Sequence, residues 1–111
     1  MGTENLKVVT YEGILGIEQA DGIKSQLTAL IGQGATIVVN LSRVEWIDLS
    51  VIQIVISAKK SAMANRLDLT FTNLVSDPVL KAFHTAGISP NNQLTGQDLS
   101  VVLADFILGT R

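Results

Sequence analysis

The sequence predicts an α/β fold: a two-layer sandwich whose mixed but mostly parallel sheet carries helices on one face. Three observations predict it. Strand-like runs alternate with amphipathic helical stretches, which implies crossover connections and largely parallel pairing. Residues 67–73 (LDLTFTN) alternate cleanly, with Leu67, Leu69 and Phe71 on one side and Asp68, Thr70 and Thr72 on the other. A strand covered by helices on both faces would be apolar on both. The chain has 111 residues, which fits a single domain over 1–111.

Taken in order, residues 6–11 read as a strand rich in Val with Thr and Tyr. Glu12-Gly13 marks a turn, and 14–17 reads as a second strand. From Ala20 the period changes. Ala20, Ile23, Leu27, Leu30 and Ile31 share one helical face, with Asp21 in the first turn, where the helix dipole favours an acid. Gly32 and Gly34 stop that helix. The β-branched run at 35–41 (ATIVVNL) is the central strand, and 43–48 is a connection. A second helix runs over about 50–65. At about 100° per residue, Val51, Ile52, Val55, Ile56, Ala58, Ala62 and Met63 share its apolar side. Ser50, Gln53, Ser57, Lys60, Ser61 and Ala64 lie opposite, with Ile54 at their edge. Lys59 falls on the apolar side. Either its stem lies along the core edge with the ammonium in water, or the helix leaves the sheet there. Ser76-Asp77-Pro78 opens a third helix with a cap, an acid and a proline. Val79, Leu80 and Phe83 form its buried stripe and Gly87 its stop. A short strand is expected near Gln93-Leu94. The last helix begins near Asp98, follows Leu99, Val102, Leu103, Phe106 and Ile107, and ends at Gly109.

Composition narrows the function classes. The apolar fraction is 47% and the charged fraction 16%, a globular balance. Eight Lys and Arg against ten Asp and Glu give a net charge of −2. That leaves no basic footprint for nucleic acid and no polybasic membrane patch. Cysteine is absent, which removes disulfides, thiol nucleophiles and thiolate metal sites. His84 is the only histidine. It suits the C-terminal end of its helix, and no motif fixes a serine or carboxylate beside it for base catalysis. No phosphate-cradling loop and no G-x-S-x-G elbow occurs. The Gly32-Gln33-Gly34 pair sits where helix ends favour glycine. No carboxylate pair has metal-ligand or glycosidase spacing. Asp21, Asp48, Asp77 and Asp98 each lie near a helix start, as dipole complementarity requires. We therefore expect no catalytic residue, no cofactor and no metal. Met1-Gly2-Thr3-Glu4-Asn5 carries an acid and no basic cluster, and Leu6 stands where a myristoylation site wants Ser or Thr. No apolar run approaches the roughly 20 residues of a membrane span, so direct membrane insertion is not expected. The composition suits the cytoplasm.

One stretch rises above this background, residues 40–60 (NLSRVEWIDLSVIQIVISAKK). A buried strand ends there and a helix begins at Asp48-Leu49-Ser50, offering free backbone N–H groups and a positive dipole end. A phosphate on a serine at that place would be stabilised. Asp48 or Ser50 could equally just cap the helix. Asn40-Leu41-Ser42-Arg43-Val44-Glu45-Trp46-Ile47-Asp48 resembles the signature of STAS domains, which include bacterial anti-sigma factor antagonists and the cytosolic domains of sulphate transporters. Residues 67–73 match the family's next strand. Ser76-Asp77-Pro78-Val79-Leu80-Lys81-Ala82-Phe83-His84-Thr85-Ala86-Gly87-Ile88 is similar to its following helix. The resemblance implies a STAS-like sandwich and a non-enzymatic role in signal transduction and transcription regulation. It also implies a partner kinase, itself the anti-sigma factor, that phosphorylates a serine or threonine directly after the aspartate. Asp48 matches the aspartate. Leu49 occupies the acceptor position and cannot be phosphorylated. Ser50 is left as a displaced acceptor candidate or a capping residue, and Val51 replaces the usual glycine.

The resemblance places partner docking at the start of the second helix. The expected contact patch is Trp46, Asp48, Leu49, Ser50, Gln53, Ile54 and Ser57. In the opposing reading, Trp46 and Leu49 fold into the domain's own core. The expected partner is a regulatory kinase or other signalling protein. The alternative is a constitutive subunit of a transporter or larger assembly, of a lipid-transport, chemotaxis or stressosome-like kind.

Overall fold

The central strand runs well past the β-branched run that announces it. In a computed structural model of the chain, which describes residues 5–91 and 93–109, β2 spans Thr36–Ile47. It lies between β1 (Leu6–Leu15) and β3 (Leu69–Phe71), and both neighbours pair with it in parallel. Helix α1 (Ile17–Gly32) crosses from β1 to β2, and α2 (Leu49–Ala64) from β2 to β3. Two right-handed crossovers that advance in one direction across a sheet put both helices on the same face. α1 and α2 accordingly pack against each other over that face. Two further helices follow, α3 (Asp77–Thr85) and α4 (Gly96–Leu108). The expected architecture of an α/β sandwich with helices on one face is what the chain adopts, with the three strands all parallel.

The core lies between sheet and helices. Val9 and Leu15 from β1, Ile37, Val39, Leu41, Val44 and Ile47 from β2, and Leu69 and Phe71 from β3 are buried there. α3 packs on β2 with Val79, Leu80 and Phe83 buried, and the Phe83 ring meets Phe71 edge-on at 6.4 Å. The opposite face is open. Val8, Val38 and Thr70 form one cross-strand row on it, and Val8 is 61% exposed. Thr72 and Asn40 bond to each other one row on.

Five expectations need correction. Glu12-Gly13 is no turn: Gly13, at φ 72°, lies inside β1 beside a register shift, so the strand continues instead of folding back. Residues 14–17 are therefore the end of β1 and the start of α1, not a second strand. That helix begins a turn earlier than Ala20, and Glu18 rather than Asp21 occupies its first turn. Residues 43–47 are strand, not connection. Gln93 and Leu94 form no strand. The reading of residues 1–4 lies outside the described residues.

Lys59 has a third solution, in addition to the two the sequence suggests. The helix stays on the sheet, and the lysine side chain is only 2% exposed. Its ammonium donates to Asp68 Oδ1 at 2.9 Å and to the Leu69 carbonyl at 2.7 Å. Asp68 Oδ1 also accepts from the Leu69 N–H at 2.7 Å, so its carboxylate turns to the sheet edge instead of the open face. Ser100 of α4 accepts from the Phe71 N–H at 3.1 Å. Side chains thus satisfy three backbone groups on the outer edge of β3. α4 sits close enough for this because its first turn abuts the end of β3, where the Gly96 N–H donates to the Asn73 carbonyl at 2.7 Å.

Candidate functional site

Ile47, buried at the end of β2, fixes the place from which α2 departs. Asp48 follows in extended conformation and is the N-cap. Its Oδ2 accepts from the Ser50 N–H at 2.9 Å and from the Ser50 hydroxyl. The Ser50 hydroxyl, then its backbone N–H, holds the Asp48 carboxyl below the usual carboxylate range. Asp48 is therefore the capping residue of the pair, and the Ser50 hydroxyl donates inward to it rather than accepting from a helix N–H.

Trp46 and Leu49 flank the cap. They are 50% and 53% exposed, so neither folds into the core. Trp46 is the register partner of Ile14, another exposed apolar residue, and its ring lies beside Gly16. With Ile52, Pro78, Lys81 and Ala82 they line a groove of about 530 Å³ between the start of α2 and α3. Ser50, Gln53, Ile54 and Ser57 line a different groove, of about 470 Å³, shared with Lys24 and Thr28 of α1. Ile54 is half-buried against the core. The seven residues expected as one patch therefore occupy two sides of α2, with Asp48 at the cap between them. Residues 49 and 50 are adjacent in sequence but about 100° apart around the helix.

Sequence reasoning missed the wall that α3 contributes. Pro78, Lys81, Ala82, Thr85 and Ala86 all line the first groove. Their i, i+3, i+4 spacing, on the side of α3 away from Val79, Leu80 and Phe83, was the available signal. Ser76 also behaves differently from expectation. It holds the N-cap position, but its hydroxyl donates to the Val44 carbonyl at 2.7 Å and ties α3 to β2. His84 Nδ1 faces the Ser89 carbonyl at 3.0 Å. Among the described residues no three His, Asp or Glu side chains converge in a way that could hold a metal ion. No helix among them is long and apolar enough to cross a membrane.

The family model described as "Mlab, STAS domain" matches residues 2–96. The chain belongs to the STAS domain family. STAS domains commonly mediate protein–protein interactions, and the family is generally non-enzymatic. No curated protein matches this STAS domain. A solved structure titled "Crystal Structure Analysis of Mglu" is similar to it at a TM-score of 0.52 and 21% identity, over 59% of this chain. The STAS domain spans 17% of that longer chain, so the likeness is one of fold.

Proposed function

We propose that this chain is a non-enzymatic docking module that binds a regulatory kinase or other signalling protein through the start of α2. One observation carries the reading. Leu49, at the position where the resemblance implies a phosphoacceptor, projects into solvent beside Trp46 at the mouth of an apolar groove. Exposed apolar anchors ringed by polar groups are what partner-binding spots present. A second reading, of a permanent subunit in a transporter or larger assembly, is favoured by the same residue. A leucine carries no phosphate, so contact through it is not released by modification there. The Ser50 hydroxyl is the remaining acceptor candidate, and its bond to Asp48 must break before it could be modified.

Leu49→Asp is the test, because it puts a negative charge where the family puts a phosphate. Folding should be intact by circular dichroism, and partner binding should weaken at least tenfold, about 1.4 kcal/mol. An unfolded variant would make Leu49 a core residue, and a variant that binds normally would remove this helix start from the interface. Mass spectrometry after incubation with a partner kinase separates the two readings. Phosphate on Ser50 supports a switch, and an unmodified chain that remains bound supports the permanent subunit.

A further inference from the structure

Lys81 is the only charged side chain lining the groove between α2 and α3. It is exposed, and it forms no ion pair among the described residues. Asp77, one turn back on the same helix, does not come within ion-pair distance of it. The rest of the lining is apolar or small, with Trp46 and Leu49 standing at one end and Pro78, Ala82 and Ala86 forming an i, i+4 row along α3. Such a row leaves a shallow channel that takes the side-chain ridge of another helix. From these features, and resting on the docking reading above, we infer that the groove receives an amphipathic helix with an acidic flank. Its apolar stripe lies against Trp46 and Leu49, and a carboxylate pairs with Lys81. Helix-in-groove recognition uses apolar anchors at i, i+3, i+4 and i+7. A rim charge of this kind selects among partners of similar hydrophobicity more than it adds affinity.

The chain suits a direct test, because Trp46 is its only tryptophan and lines the groove. Two synthetic helical peptides share a leucine stripe at i, i+3, i+4 and i+7. One carries glutamates along the flank and the other lysines. The net charge of −2 favours the basic peptide wherever attraction is unspecific, so a preference for the acidic one must be local. The acidic peptide should shift Trp46 emission to the blue and bind at least tenfold tighter than the basic one. Lys81→Glu, on an exposed helix surface, should reverse that order without loss of fold. Absence of any Trp46 response to the acidic peptide at millimolar concentration overturns the inference. So does equal affinity for the two peptides, or a preference that Lys81→Glu leaves unchanged. Leu49→Asp keeps this failure apart from failure of the docking reading. If both peptides bind equally and both are lost in that variant, the groove docks helices without selecting charge. If neither is affected, the docking reading fails as well.

Discussion

A Cβ placed on Gly96 would lie 1.7 Å from the Thr72 carbonyl oxygen and 3.1 Å from that of Phe71. Both contacts are with backbone, which cannot move aside as a flexible side chain can. Gly96→Ala should therefore push α4 off β3 and cost at least about 3 kcal/mol in urea unfolding. Gly22, in the open on α1 with nothing within 4 Å of such a Cβ, provides the contrast. Alanine there should stabilise by about 0.5–1 kcal/mol through helix propensity. Tyr11 illustrates burial acting on a single proton. It packs against the core and donates to Gln26 Oε1, and burial pushes its phenol from 10.0 up to about 12. The folded value lies above the unfolded one. The stability linked to it is complete below about 10 and disappears as pH rises through about 12. Tyr11 is the only tyrosine, so the tyrosinate absorbance of the folded protein should appear with a midpoint near 12. A midpoint at the ordinary value would show that water reaches the phenol. Asp48 runs the other way. Its carboxyl is held low by Ser50, so its contribution is present at neutral pH and is lost as acid takes the pH down through the folded value.

β3 is only three residues long, yet its pattern assigns the layers. Leu69 and Phe71 are buried against the helices while Thr70 lies on the open face. Leu69→Ala should cost about 2–5 kcal/mol as a core truncation, and Thr70→Ala well under about 1 kcal/mol as a surface change. Equal costs, read by chemical denaturation, would mean that both faces are covered. This alternation was legible in the sequence, and so were α2, α3 and α4, whose starts carry Asp48, Pro78 and Asp98. The far half of β2 was not. Its buried residues fall at Ile37, Val39, Leu41, Val44 and Ile47, a spacing of two that becomes three. The change follows from two register shifts against β1. Each gives β2 one extra residue and erases the period by which a strand is recognised. Arg43, Glu45 and Trp46, exposed between the buried positions, then look like a connection. Gly13 hid the continuation of β1 for a related reason. A glycine with positive φ marks a turn in most sequences, and here it accommodates an irregularity. The candidate site was half legible. A helix start after a buried strand pointed to Trp46, Asp48 and Leu49. The α3 wall comes from residues some thirty positions further on, and only tertiary packing brings it alongside.

At the scale of the whole molecule, a one-sided parallel sheet is the unusual feature. Parallel sheets are ordinarily covered on both faces, whereas Val8 and Ile14 stand exposed here. The two edges of that sheet are also unequal. Among the described residues no strand pairs with the outer side of β1, while Lys59, Asp68 and Ser100 occupy the outer side of β3. Growth of a fibre by strand addition needs a donor edge and a receptor edge on every copy. A copy arriving here can engage only β1 with β1. Such a meeting is two-fold symmetric and closes on itself, with blocked edges left facing outward. The lysine that looked out of place on an apolar helix face is thus part of a chain terminator for sheet polymerisation. Lys59→Met combined with Ser100→Ala should weaken the block, leaving only the Asp68 bond to the Leu69 N–H, so that gently heated protein scatters light as longer assemblies than the parent chain. Identical scattering from both would assign the block to α4 itself, which lies against β3 whether or not its serine holds the strand.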